Sequence, residues 1–425
     1  MSLAGSLEKL YARRRFGIRP GPDRVRLLLE RLGHPERSFR AIHVVGTNGK
    51  GSTSAFLSSI LSSAGYRCAL FTSPHLVSFN ERFRINGQEI TSDQLMPLLE
   101  KVLALAPDNA TFFEIVTALA ALCFAEERAE IAVLEAGMGG CSDATAVIAA
   151  VMTVITPVSL DHCDYLGTTL AGIAAEKAAI AEPGTPMIIG PQAAEANEVI
   201  LNAATAGGNR LFVAGRDFSA VWSEAGTLDY TGFTVALPHL APGIPGRFQA
   251  ENAAAALAAA EVMNTIGWPV NEKAMAAGIR HAHWPGRLEL IAGSPPILLD
   301  GAHNPAGAVA LASALSDYHY QRLILVAGVM ADKDCREIFA PLAAKADRAF
   351  AVTPAIERAL DSATLAGILT DLGMDATASG GVGDGIRAAR QAARADDLIL
   401  VCGSLFTVGE AKAWLTGENF EGIRG

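Results

Sequence analysis

The chain has 425 residues, half of them hydrophobic, and a formal net charge of −10 at pH 7. That length suggests two or three domains with sizeable cores. The acidic balance argues against a broad nucleic-acid surface, and the spread of glycine and proline excludes collagen-like or disordered tracts. Every apolar run is interrupted well short of the roughly eighteen residues a membrane helix needs, and no secretory leader is evident at the start. The expectation is therefore a soluble, cytoplasmic protein with no membrane or nucleic-acid partner. Cys68, Cys123, Cys141, Cys163, Cys335 and Cys402 form no CxxC pair, so scattered structural thiols are a simpler reading than a zinc site or a catalytic thiol.

Residues 6–32 read as helical, with a break at 17–22. The apolar run 41–45 reads as a strand and leads into Gly46-Thr47-Asn48-Gly49-Lys50-Gly51-Ser52-Thr53, after which 54–64 is a helix closed by Gly65. Residues 66–71 form a second strand and 72–87 an irregular polar region. Helices are predicted over 92–106 and 111–127, strands over 131–134 and 147–155, a helix over 170–181 and a strand over 186–189. The stretch 211–237 has short alternating runs and suggests a small antiparallel patch, followed by helices at 248–263 and 271–281. Pro285-Gly286 and Gly293-Ser294-Pro295-Pro296 mark the domain joint, placing a first domain at 1–290 and a second at 291–425. Strands at 297–299, 323–326, 349–352 and 398–401 alternate with helices in that second unit. The fold class is α/β, with a mostly parallel sheet in each domain and a cleft between them at the carboxyl ends of the strands.

Strand, glycine-rich turn, then helix is the context of a phosphate loop. The glycines let backbone N–H groups converge on a phosphate, and the new helix adds the positive end of its dipole. Lys50 supplies a mobile cation, and Ser52 or Thr53 a hydroxyl for Mg²⁺. The spacing departs from the general motif, because only Thr47 and Asn48 separate Gly46 from Gly49-Lys50.

Glu135 ends an apolar strand above the turn Ala136-Gly137-Met138-Gly139-Gly140, where a carboxylate either holds Mg²⁺ or caps the turn. His162 follows Asp161 past the next strand. Oxygen suits Mg²⁺ better than imidazole, so chemistry alone favours a hydrogen-bonding histidine there over a metal ligand. Lys177 sits among small and apolar residues, where either a surface lysine or a buried one with a lowered pKa fits. Arg287, just before the joint, reads as a linker ion pair or as a cation for a phosphoryl group. Asp300-Gly301-Ala302-His303-Asn304-Pro305 closes the first strand of the second domain with three polar side chains that can meet a nucleotide across the cleft.

The ordered set of blocks resembles the folylpolyglutamate synthase family, including its bifunctional dihydrofolate synthase form, within the Mur-type ligases. The blocks are 46–53, 71–76, Asn80-Glu81-Arg82, 135–140, Asp161-His162 with 166–170, Glu176-Lys177, 248–252, 285–289 and 300–305, and they cover nearly the whole chain. The resemblance implies a two-domain P-loop architecture and an ATP-dependent ligase. Such an enzyme adds L-glutamate to dihydropteroate and to reduced folates through an acyl phosphate. It implies that Gly46, Thr47, Asn48, Gly49, Lys50, Gly51, Ser52 and Thr53 bind ATP, with Asn252 at the adenine and Arg287, Asp300 and His303 reaching phosphates and ribose. It implies two Mg²⁺ ions held with the help of Ser52, Glu135, His162 and a carbamylated Lys177, reversing the chemical preference for His162. Lys50, Lys177, His162, Arg287 and His303 would then be the catalytic set. Ser73, Pro74, His75, Asn80 and Arg82 resemble the family's loop beside the pterin, and Phe112 and Glu114 are further substrate candidates. Cys141 stands where the family commonly has arginine, Ala179 where it has glycine, and Phe112 where tyrosine is often seen. A monomer is expected, since two domains enclose one ATP site. The alternatives are a monofunctional folylpolyglutamate synthase, a ligase of muramyl peptides and a non-catalytic nucleotide-binding regulator. The second normally carries a leading domain that is not evident here.

Overall fold

A computed structural model describes residues 3–13 and 21–422. Most of the helix break expected at 17–22 falls outside them. The first domain is built on β1 (Arg40–Val45), β2 (Cys68–Phe71), β3 (Phe83–Ile85), β4 (Gln88–Glu89), β5 (Ile131–Glu135), β6 (Ala150–Ile155), β7 (Met187–Ile189) and β8 (Leu211–Val213). They form one sheet in the order β4-β3-β2-β5-β1-β6-β7-β8. Pairing from β2 to β8 is parallel, and β3 and β4 extend one edge antiparallel. The chain runs from β1 to one side as far as β2, returns to β5, and then crosses to β6 on the other side of β1. The carboxyl ends of β1, β5 and β6 therefore flank a topological switch point, where open α/β sheets bind ligands.

Period-two alternation explains why helices cover both faces. Ile42 and Val44 of β1 join a core with the helices Lys50–Ser63, Gln249–Thr265 and Glu272–His281, whereas Ala41 faces the helices Leu3–Ala12, Asp23–Arg31, Ser92–Leu105 and Phe112–Glu126. The alanine-rich helix Gln249–Thr265 is buried along nearly its whole length. Its small side chains let it approach both the helix after the phosphate loop and an antiparallel sheet of β9 (Ser219–Trp222), β10 (Leu228–Thr231) and β11 (Ala236–Leu240).

The second domain carries β12 (Glu289–Ile291), β13 (Ile297–Leu299), β14 (Leu323–Ala327), β15 (Ala346–Ala351), β16 (Ala376–Ala378) and β17 (Leu398–Cys402), ordered β12-β13-β17-β14-β15-β16. Only β12 is antiparallel. Leu298, Leu325 and Leu400 enter one core and Leu299, Val326 and Val401 the other, so both faces are covered.

Several local expectations change. The helix expected from 54 begins at Lys50, because the phosphate loop itself supplies its first turn. The strand expected from 147 begins at Ala150, after a 3-10 turn at Ala144–Val147 capped by Asp143. The helix expected to 181 ends at Ala178. The antiparallel patch begins only at Ser219, since β8 pairs parallel with β7. The region 72–87 contains a 3-10 turn at Phe79–Arg82 and the strand β3. The strand β12 pairs with β13 and lies on both sides of the 290/291 position. Among the described residues, no helix is long and apolar enough to cross a membrane.

Candidate functional site between the two domains

The loop after β1 is held from three directions. Thr47 and Asn48 donate their N–H groups to Pro157 O at 2.9 and 3.2 Å, and the Thr47 hydroxyl donates to Ser159 O at 3.0 Å. Gly49 adopts φ +85°, and a Cβ there would lie 2.2 Å from Asn252 Oδ1, so only glycine fits. Behind the loop runs a polar chain into the helix Gln249–Thr265. Gln249 Nε2 donates to Ser52 Oγ (3.3 Å), Asn252 Nδ2 to Gln249 Oε1 (2.7 Å), and Thr53 Oγ1 to Asn252 Oδ1 (3.3 Å). Lys50 Nζ folds onto Gly46 O and Thr47 O at 3.2 and 3.1 Å. Its ammonium thus sits over the loop whose backbone N–H groups open a helix N-terminus.

Glu135 ends β5 beside this loop. Its carboxylate is buried and accepts Ser73 N–H at 3.1 Å. Burial pushes its pKa up, while Lys50, the Ser73 N–H, Arg287 and Arg82 pull it back. Lys177 is also buried. Loss of solvation and the nearby Lys50 charge bring its amine down to about 7, against the opposing pull of Asp143, Asp161 and Glu176. The adjacent Glu176 accepts from Gly140 N, Ser142 N and the Cys141 thiol at 3.3, 2.9 and 3.2 Å, tying the glycine turn after β5 to the Lys177 helix. Cys141 therefore contributes a thiol hydrogen bond and no cation. Burial and Glu176 raise its thiol to about 11.

The second domain closes over the loop. Asn304 caps the helix Pro305–Ala314 through Oδ1 and donates from Nδ2 to Asn48 Oδ1 at 2.9 Å. Asp300 is buried and held by the N–H groups of Leu288 and Ala302 at 3.0 and 2.9 Å, with burial raising its pKa and Arg287 opposing. His303 Nδ1 bonds Gly301 O at 2.9 Å, and its Nε2 lies 3.8 Å from Asp161 Oδ2. Lys333 reaches across to Asp161 Oδ1 at 2.8 Å. Burial alone would raise the Asp161 pKa, but His303, His162 and Lys333 hold it well below the usual carboxylate range. His162 is half exposed, at φ 52° and 3.8 Å from Asp161.

The structure thus brings 46–53, Glu135, Arg287, Asp300 and His303 around one interdomain cleft, with Ser73, Pro74 and His75 along its wall and Asn252 behind the loop. Asn80, Arg82, Phe112 and Glu114 lie behind that wall. Asn80 donates to Ile90 O at 2.6 Å. Arg82 donates to His75 Nδ1 at 2.9 Å and packs on the Phe79 and Phe112 rings. Phe112 stacks on Tyr11, and Glu114 completes a capping box with Thr111 and pairs with Arg24 at 2.8 Å. Phe113, one residue on, is the ring that approaches Gly137 of the glycine turn. Sequence reasoning left Lys333 without a role and gave Asp161 one only together with His162, as a metal ligand or a partner of phosphate. Their signal was the charged turn at 330–334 and the carboxylate beside His162, each at a strand end.

Among the described residues, no cluster of three or more His, Cys, Asp or Glu side chains forms a ready cage for a metal. Of Ser52, Glu135, His162 and Lys177, only the Ser52 hydroxyl and the Glu135 carboxylate offer oxygen donors, too few for a resident octahedral ion. These two fit Mg²⁺ that arrives with a nucleotide and takes most of its ligands from phosphates and water.

The Mur ligase middle domain model matches residues 44–260, and the Mur ligase glutamate ligase domain model matches residues 286–405. A probable bifunctional folylpolyglutamate synthase/dihydropteroate synthase of Halobacterium salinarum is 37% identical over 413 residues, 94% of this chain and 50% of that protein. The chain thus spans about half the length of that relative. The dihydrofolate synthase/folylpolyglutamate synthase of Escherichia coli is 34% identical over 95% of this chain and 92% of its own length. The solved structure of E. coli FolC in complex with DHPP and ADP superposes with a TM-score of 0.90 at 31% identity, covering 98% of each chain.

Proposed function

Because the chain belongs to the folylpolyglutamate synthase/dihydrofolate synthase family of Mur ligases, we propose that it is an ATP-dependent ligase joining L-glutamate to dihydropteroate and to reduced folates. The observation that carries this reading is the reach of the second domain onto the phosphate loop, where Asn304 bonds Asn48 at 2.9 Å. A nucleotide at that loop meets groups from both domains.

A free carboxylate is a poor acyl donor, because its charge repels a nucleophile. Transfer of the γ-phosphoryl group of ATP to one carboxylate oxygen gives an acyl phosphate and ADP. The glutamate amine then adds to the acyl carbon, the tetrahedral adduct expels phosphate, and the amine proton passes to solvent. No side-chain nucleophile is needed. The loop N–H groups and Lys50 bind and orient the phosphates, Asn252 supports the loop from behind, and Arg287, Asp300 and His303 enclose the nucleotide from the second domain. Closure excludes water that would hydrolyse the acyl phosphate. Ser52, Glu135 and His162 would hold Mg²⁺ brought with ATP, which would supply charge neutralisation at the phosphates. An amine at about 7 is half neutral near physiological pH, so Lys177 Nζ can add to CO₂, forming an N–C bond and releasing a proton. The resulting carbamate supplies oxygen donors for a second ion. One ATP cleft enclosed by the two domains of a single chain fits a monomer acting in the cytoplasm.

The test is product formation with dihydropteroate and tetrahydrofolate offered separately, at saturating glutamate, ATP and Mg²⁺. Glutamylated product from both acceptors is expected. Product from one alone reduces the assignment to that activity, and ATP hydrolysis indifferent to any acceptor refutes the reading.

A further inference from the structure

A small cleft of about 40 Å³ lies beside the phosphate loop, walled by Gly51, Ser73, Glu135, Trp284, Arg287 and Arg84. That is several times the roughly 10–15 Å³ that one water needs, so it accommodates a small polar group such as a carboxylate. Arg84 is the least explained of its walls. On β3, Phe83 and Ile85 point into the apolar core, and the two-residue period turns Arg84 to the opposite face. Its side chain is about nine-tenths buried. The Nη2 atom bonds Glu89 Oε1 at 3.1 Å, while the buried Nε has no hydrogen-bond partner among the described residues. A buried guanidinium N–H without an acceptor is costly and calls for a ligand.

The acids nearby are already engaged. Glu81 accepts the N–H groups of Leu76, Val77 and Ser78 at 2.7, 2.7 and 2.9 Å, and Glu135 accepts that of Ser73. Trp284 sets the geometry on the other side. The Arg84 guanidinium stacks 5.4 Å from its ring centroid, and a Cβ on Gly51 would lie 2.8 Å from its Nε1. The indole therefore fills the space between the phosphate loop and Arg84 and screens that arginine from nucleotide phosphates.

We propose that Arg84 is a substrate-binding residue whose guanidinium takes a carboxylate of the incoming L-glutamate at this cleft. The proposal rests on the ligase reading above. Within it, L-glutamate keeps its carboxylates ionised throughout amide formation whichever acceptor is used, so it needs a permanent cation. Dihydropteroate's single carboxylate loses its charge on phosphorylation, the ATP phosphates have Lys50 and the loop, and with dihydropteroate as acceptor glutamate is the substrate left with a free carboxylate.

The experiment measures initial rates of wild type, Arg84→Gln and Arg84→Lys against each substrate in turn. L-Glutamate titrations followed by tryptophan fluorescence run alongside, because Trp284 stacks on the altered side chain. Loss of a charge-assisted, geometrically fixed pair predicts a glutamate KM raised roughly ten- to hundredfold in Arg84→Gln, with the ATP and acceptor KM within about twofold. Arg84→Lys should fall between, since it keeps the charge and loses the fork. Fluorescence-detected glutamate binding should weaken in parallel, which tests Arg84 even if turnover is absent. Unchanged glutamate KM and binding would overturn the proposal, as would a rise confined to ATP or to the folate acceptor. A general loss of melting temperature with all KM values moving together would make Arg84 merely structural and also overturn it. A wild-type enzyme that forms no glutamyl product from any acceptor refutes the ligase reading instead.

Discussion

Replacing Gly49 with alanine should damage the folded loop by an amount that follows from its surroundings. The residue sits at φ +85°, where an L side chain costs about 1–2 kcal/mol. The added methyl would lie 2.2 Å from Asn252 Oδ1, far inside van der Waals contact, so Asn252 must move. Moving it breaks the bonds to Thr53 and Gln249, each contributing about 1 kcal/mol net. The sum is roughly 3 kcal/mol of lost stability in the first domain, measured by urea unfolding without nucleotide. Part of that loss belongs to the collision and part to the backbone. In the double variant Gly49→Ala/Asn252→Ala, the collision is gone and the Asn252 bonds are lost only once. The double variant should therefore be less destabilised than the two single variants added together, by about 1–2 kcal/mol. Strict additivity, or a Gly49→Ala loss below about 0.5 kcal/mol, would show that the loop relaxes freely and refute the reasoning.

Other consequences are as specific. Lys50→Ala should abolish turnover while shifting stability by less than about 1 kcal/mol, because Lys50 bonds only loop carbonyls; product assays and melting curves check both. The Lys177 amine has a folded pKa lowered to about 7 from its ordinary value of 10.5, so its charged form opposes folding and the penalty is complete below about 7. It is relieved as pH rises from 7 towards 10.5, and without added CO₂ Lys177→Met should stabilise the protein more at pH 6 than at pH 9 in urea titrations. With ¹³C-bicarbonate, a carbamate resonance should grow between about pH 6 and pH 8 and be missing in Lys177→Ala, since the neutral amine is the reactive form. Asp161→Asn removes the carboxylate that holds Lys333 and faces His303 across the domain joint, and should favour an open arrangement. A larger radius of gyration by small-angle scattering is expected, and an unchanged one would remove Asp161 from that role.

Much of this protein was determined by local sequence. The apolar run into Gly46-Thr47-Asn48-Gly49-Lys50-Gly51-Ser52 dictates strand, turn and helix N-terminus in order, because glycine geometry and helix polarity act over a few residues. The unbroken apolar runs of β13, β14 and β17 likewise determined a sheet covered on both faces. Carboxylates and imidazoles at strand ends were visible as candidates, since such groups do not sit inside apolar strands. What only tertiary structure decided depends on residues far apart in the chain. Position 51 accepts only glycine because of Trp284, and Asn252 bears on Gly49 from another helix. Burial lowers the Lys177 amine to about 7, and no local pattern distinguishes it from a surface lysine. Arg84 drew no attention within the polar region 72–87, and only its place on β3 turns it toward the cleft under Trp284. Asn80 and Arg82 lay in the same polar region as Ser73 and His75, and Glu114 stood with Phe112 as a further candidate, yet backbone hydrogen bonds, ring packing and capping engage them behind the cleft wall. The physical reason is the same throughout: backbone conformation follows from nearest neighbours, while burial, charge pairing and which wall a side chain faces are set by segments brought together only when the sheets and domains close.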